Sequence, residues 1–162
     1  MDHRHTTWAR IALASTTLAF AAAALASSSI GAIGAATVQG GSVATVMTRT
    51  TTLGRILVDS RGRSLYLFEK DARNRSACYT DCAKFWPPIL TSAKPVAGPG
   101  VKASLLGMTT RTGGSHQVTY AGHPLYRYSL DKQPRQTKGE ASKAFGAEWY
   151  VVSPSGKKID NS

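Results

Sequence analysis

A chain of 162 residues, 42% hydrophobic and 18% charged, has room for one domain or two very small ones. Its formal net charge of +11 favours anionic partners. The Lys and Arg residues are nevertheless scattered, with no long basic run and no recognisable reading element, so no specific nucleic-acid binding is expected.

The first stretch is not part of the fold. Met1 to Arg10 carries Arg4 and Arg10, Ile11 to Ala26 is uncharged and rich in Ala and Leu, and Ala24-Leu25-Ala26 offers a small-x-small cleavage site. Together these read as a Sec-type signal peptide over residues 1–26. The alternative is an uncleaved anchor, because the low-charge run continues to Gly41; membrane attachment is expected only in that case. No cysteine stands near the cleavage site to carry a lipid, and there is no twin-arginine pair. Residues 27–52, rich in Ser, Thr, Ala and Gly, read as a flexible tether, with Val43 to Met47 able to add a short edge strand.

From Leu53 onward the sequence repeats. Leu65-Tyr66-Leu67-Phe68-Glu69-Lys70-Asp71 returns as Leu125-Tyr126-Arg127-Tyr128-Ser129-Leu130-Asp131, with Gly62 matched by Gly122 and Phe85 by Phe145. Residues 53–106 and 107–162 are read as two repeat units. In the first, Ile56 to Val58, a turn at Asp59 to Arg63, and Leu65 to Phe68 predict a hairpin. Alternation puts Tyr66 and Phe68 on one strand face and Leu65 and Leu67 on the other. In the second unit Tyr126 and Tyr128 oppose Leu125 and Arg127, and the charge of Arg127 predicts that the aromatic face is the buried one. Asp71 and Asp131 are placed to close a turn or cap a short helix.

Asp81 to Trp86 predicts a short helix stopped by Pro87 and Pro88, with Phe85 and Trp86 packed inward. Thr91 to Gly100 reads as a loop, and Val101 to Leu106 as a short helix or strand. His116 to Tyr120 and Leu125 to Tyr128 flank a turn, Glu148 to Val152 is a strong strand, and Lys157 to Ile159 can pair back. The expectation is a mainly β (or α+β) fold. Two pseudo-equivalent β-hairpin repeat units with one or two short helices pack as one domain over residues 53–162, since neither unit alone buries a core.

Tyr66-x-Phe68-x-x-Asp71 and Tyr126-x-Tyr128-x-x-Asp131 resemble the duplicated Tyr-x-aromatic-x-x-Asp motif of a bacterial family of secreted repeats and predicted lipoproteins of unknown function. Cys78-x-x-x-Cys82-Ala83-x-x-Trp86-Pro87-Pro88, Gln117 to Tyr126, and Phe145-Gly146-x-x-Trp149-Tyr150-Val151-Val152 extend the resemblance over Leu53 to Ile159. The resemblance implies an exported location and a repeat architecture. It implies no catalytic residue.

Cys78 and Cys82, the two cysteines of the chain, read as a disulfide in an exported protein. A redox pair or a metal site is the alternative, with His116 and His123 as weak candidate ligands. The repeated Tyr66, Phe68, Asp71, Tyr126, Tyr128 and Asp131 could form a ligand shelf, but repetition at strand periodicity is what packing requires. No nucleophile motif, phosphate loop or paired-acid pattern stands out. The expectation is a monomeric, non-enzymatic binding or structural module of the cell envelope or extracellular space. It needs no cofactor, and anionic envelope polymers are its candidate partners. The alternatives are a metal- or haem-binding or redox module built on His123, and an extracytoplasmic enzyme with a polar pocket between the two units.

Overall fold

Short runs of β-branched and aromatic residues, punctuated by Gly and Pro, produce short strands. The structure is a computed structural model that describes residues 41–160. The expected signal peptide, and the expected tether up to residue 40, lie outside the described residues. In chain order the elements are β1 (Thr45–Thr51), β2 (Gly54–Asp59), β3 (Tyr66–Phe68), α1 (Thr80–Phe85), β4 (Val96–Ala97), a 3-10 turn (Ala103–Leu105), β5 (Leu106–Thr110), β6 (His116–Tyr120), β7 (His123–Pro124) and β8 (Trp149–Val151).

The duplication is visible in these elements. The β1–β2 hairpin, with Val46 opposite Asp59 and Thr51 opposite Gly54, corresponds to the β5–β6 hairpin, with Leu106 opposite Tyr120 and Thr110 opposite His116. Part of the stretch expected as tether is therefore strand. Thr45–Thr51 is a full strand, and β4 pairs parallel to its other side, so β1 is the middle of its sheet and not an edge. The Ser- and Thr-rich composition hid it, because Thr suits a half-exposed strand as well as a linker.

The predicted hairpin between Ile56–Val58 and Leu65–Phe68 forms only at its base. Asp59 and Leu65 donate to the carbonyls of Arg63 and Leu57. Beyond Leu65 the strand leaves its neighbour: β3 pairs antiparallel with β8, matching Tyr66 to Val151 and Phe68 to Trp149. On its other side Tyr66 exchanges both backbone hydrogen bonds with Tyr126, at 2.9 and 3.0 Å. Tyr126 in turn bridges Pro88. The order Val151, Tyr66, Tyr126, Pro88 reads the same from either end, so an approximate twofold relation passes between the two tyrosines. It matches Trp86-Pro87-Pro88-Ile89 with Trp149-Tyr150-Val151-Val152.

This central seam is buried on both sides. Leu65, Leu67, Leu125, Val118, Tyr120 and Tyr150 belong to one apolar cluster. Tyr66, Phe68, Tyr126, Trp86, Trp149 and the cysteines belong to a second. The expectation of a single buried aromatic face is thus corrected: the leucines opposite it are equally inaccessible, because each repeat wraps over the strands of the other. In α1 the inward positions go to Cys82 and, just past the helix end, Trp86. Phe85 is 51% exposed, against expectation, and lies 6.0 Å from the half-exposed Phe145.

Candidate functional site

Six motif side chains meet at the seam. The Tyr66 hydroxyl donates to Asp131 Oδ2 at 2.6 Å, and the Tyr126 hydroxyl donates to Asp71 Oδ2 at 2.8 Å. Each tyrosine therefore reaches the aspartate of the other repeat. The second oxygen of each aspartate holds its own loop: Asp71 Oδ1 accepts from the Ala77 amide at 2.7 Å, Asp131 Oδ1 from the Lys138 amide at 3.0 Å. The aspartates also close the expected turns, with their own amides donating to the carbonyls of Phe68 and Tyr128.

The aromatic members stack in the same symmetric manner. Trp86 and Trp149 lie face to face at 3.9 Å and 5°. Phe68 caps Trp149 at 4.0 Å, and Tyr128 caps Trp86 at 4.3 Å. Tyr66 meets Trp86 edge-on at 5.3 Å, as Tyr126 meets Trp149 at 5.2 Å. Such pairs contribute about 0.5–1.5 kcal/mol each beyond the area they bury. Gly139 passes so close to Trp86 that a Cβ there would sit 2.6 Å from the indole, which is why the polar 131–143 stretch needs a glycine at that point.

Burial sets the electrostatics of the seam. It raises Asp71 to about 6, against the opposing pull of the Ala77 amide, the Tyr126 hydroxyl and the Arg111 charge. Burial also raises Asp131, opposed by Tyr66 and Lys138. Both Tyr66 and Tyr126 are held far above the ordinary phenol range, first by burial and then by the aspartate each one faces. Arg111 is buried and donates to Ser76 Oγ, Gln117 Oε1 and the Cys78 carbonyl. It ties the Asp71 side of the seam to the loop held by the disulfide.

Cys78 and Cys82 are joined in a disulfide, with Cα atoms 5.2 Å apart. His116 Nδ1 lies 3.2 Å from Thr110 Oγ1. His123 is half-buried on β7, where burial and then the charge of Arg73 lower its pKa. Among the described residues no three His, Cys, Asp or Glu side chains group as metal ligands.

Two clefts hold the matched motif positions Arg127 and Leu67 in their linings, and share little else that the twofold relation pairs. The first, about 290 Å³, is lined by Asp59, Arg61, Arg63, Arg127, Val43 and Leu90. The second, about 480 Å³, is lined by residues including Leu67, Phe68, Asp71, His123 and Lys158. Arg127 in the first stands where Leu67 stands in the second. Around Arg127, Asp59 Oδ2 lies 3.0 Å from Arg63 Nη2 and 3.6 Å from Arg127 Nη1. Asp59 Oδ1 accepts the Arg61 and Arg63 amides at 2.9 and 3.0 Å. Arg63 and Arg127 also line a neighbouring cleft with Lys132, and Arg49, Arg55 and Arg135 line another. This basic grouping was not legible as a site, since its members are separated in sequence. The one signal available was the arginine that breaks an otherwise matched motif at position 127.

The fold and its duplication agree with the comparisons. The family model for a secreted repeat of unknown function (Lipoprotein_15) matches this chain twice, over residues 47–90 and 107–153. The chain belongs to that family, and the two matched segments are the two halves joined at the seam. No curated protein and no solved structure matches it. Among the described residues no helix is long and apolar enough to cross a membrane.

Proposed function

We propose that this is an exported, non-enzymatic binding module that holds an anionic polymer of the cell envelope. A Sec-type signal over residues 1–26 delivers it, and the folded part acts as a monomer without a cofactor. One observation carries the reading: Arg49, Arg55, Arg61, Arg63, Arg127, Lys132 and Arg135 line three clefts in which, among the described residues, Asp59 and the buried Asp131 are the only acidic ones. Such an excess attracts polyanions and is screened by salt. The test is binding of the purified protein to anionic and neutral envelope polymers at varied ionic strength. Affinity that falls steeply with salt for the anionic polymers alone supports the reading. Equal affinity for neutral polymers, or none for either, overturns it.

A second reading, an extracytoplasmic enzyme, draws on the other cleft. Asp71, raised to about 6, shares that space with His123, whose pKa is lowered by burial. A carboxyl and an imidazole shifted toward each other can exchange a proton near neutrality. Hydrolysis of an envelope substrate that disappears in His123→Ala, with the fold intact, would move the assignment to this reading.

A further inference from the structure

Within the basic flank, the Arg61, Arg63 and Arg127 notch differs from the surface around it. Its single carboxylate, Asp59, is buried and already saturated. One oxygen accepts two backbone amides, and the other faces Arg63 Nε, Arg63 Nη2 and Arg127 Nη1. Two guanidiniums thus share one negative charge, with Arg61 lining the same notch. Arg127 Nε is buried and has no hydrogen-bond partner among the described residues. Burial, and then the neighbouring Arg63 and Arg61, push Arg127 below its usual range against the opposing pull of Asp59.

The fold itself has no need of this arrangement. The twofold counterpart of Arg127 is Leu67, which sits in an apolar cluster at the equivalent position. Asp59, by its placement, holds Arg63 and Arg127 close together, so like charges are kept side by side at a cost. The notch also carries two exposed apolar side chains at its rim, Val43 at 46% and Leu90 at 48%. Its volume of about 290 Å³ suits one small unit of a chain, not a folded partner.

We infer that the Arg61–Arg63–Arg127 notch binds one singly charged oxyanion of an envelope glycopolymer, a phosphodiester or a uronate. The guanidinium fork matches two oxygens of such a group. Arg127 and Arg63 grip the oxyanion, Asp59 positions them, and Val43 and Leu90 cover the carbon skeleton beside it. The neighbouring clefts at Lys132 and at Arg49, Arg55 and Arg135 receive the adjacent repeats of the chain. This inference rests on the polymer-binding reading and sharpens it to three residues.

The test uses soluble poly(glycerol phosphate), polygalacturonate and an uncharged polysaccharide as probes, with binding measured by calorimetry at low and physiological salt. Arg127→Leu, which copies the other half of the molecule, is expected to weaken binding of an anionic probe about tenfold, the loss of one charge-assisted contact. Lys157→Gln removes the same charge from the opposite cleft and is expected to change affinity by less than about twofold, since exposed distant charges are screened. Arg61→Gln, at an exposed position, gives an independent loss should Arg127→Leu fold poorly by thermal melt. Dependence on Arg127 with poly(glycerol phosphate) alone assigns the phosphodiester; with polygalacturonate alone, the uronate. Equal losses in Arg127→Leu and Lys157→Gln overturn the notch while leaving general polyanion binding in place. No binding of any anionic probe by the unaltered protein overturns both. Duplex DNA bound as tightly as the polymers, with the same dependence on Arg127, overturns the glycopolymer assignment.

Discussion

The seam and the clefts beside it obey the same twofold relation with opposite fidelity. At the seam the motif side chains of one half have their counterparts in the other: Tyr66 with Asp131 and Tyr126 with Asp71, Trp86 with Trp149, Phe68 with Tyr128. In the clefts the halves have parted: the cleft lined by Arg63, Arg127, Tyr128, Ser129 and Asp131 answers to the one lined by His123, Leu67, Phe68, Glu69 and Asp71, and two arginines stand where the other half has a histidine and a leucine. Paired positions stay alike where each half completes the other, because a change in one strands a buried group in its partner. They separate where nothing on the opposite side depends on them. Function is therefore to be sought where the symmetry fails.

The strongest way to break the comparison is at the indole stack. Trp149→Ala removes a fully buried ring that touches Trp86, Phe68 and Tyr126 and is expected to destabilise the domain by about 3–5 kcal/mol, read from denaturant unfolding. Tyr66→Phe and Tyr126→Phe each leave a carboxylate oxygen without its cross-repeat donor. Each is expected to cost about 1–3 kcal/mol, and the two costs should be similar if the halves are equivalent. A cost confined to one of them would show that the Arg111 network, which has its place beside Asp71, has taken over one side.

The disulfide is an asymmetric addition, since the second repeat has no cysteines. Replacing Cys78 and Cys82 by Ser is expected to lower stability by about 2 kcal/mol, given the short loop it closes. A smaller effect belongs to pH. The Asp71 carboxyl sits at about 6 in the folded state against an ordinary 3.8, so the folded chain binds the extra proton between these values. Stability from this group is present below about 4 and is lost as pH rises through about 6. Asp71→Asn should flatten that slope in a comparison of melting temperatures from pH 4 to 7; an unchanged slope would place the titration elsewhere. The smallest expected effect on stability is that of Arg127→Leu, which should melt within a degree or two of the unaltered protein while changing its binding.

Much of this was legible in the sequence. The repeat, its aromatic and aspartate positions, the disulfide pair and the mainly β fold follow from local pattern, because strand alternation and turn residues act over a few positions. The crossing was not. Nothing in Tyr66-x-Phe68-x-x-Asp71 says that its tyrosine seeks the aspartate of the other copy, since pairing within one copy uses the same residues. The run Leu65 to Phe68 was expected to complete a local hairpin and instead joins Trp149–Val151, a contact that only the assembled seam decides. Residues 27–52 read as tether from their Ser-, Thr-, Ala- and Gly-rich composition, with only Val43 to Met47 offered as an edge strand, and Phe85 as packed inward together with Trp86. Both errors come from judging a residue by its type where the partner strand or the end of a short helix sets its environment.

The crossed tyrosine–aspartate pairs also bear on how such a chain could arise. Each half offers one donor and one acceptor that only another half can complete, so a lone unit would present a self-complementary face. Two identical copies could satisfy every bond of the seam as an isologous homodimer. Joining the copies in one chain replaces a concentration-dependent encounter with a tethered one. It also lifts the constraint of identity: once the copies are encoded separately, an arginine at 127 need no longer be an arginine at 67. A face that would associate two separate copies is here the interior of one chain, and the surface released from symmetry is free to diverge.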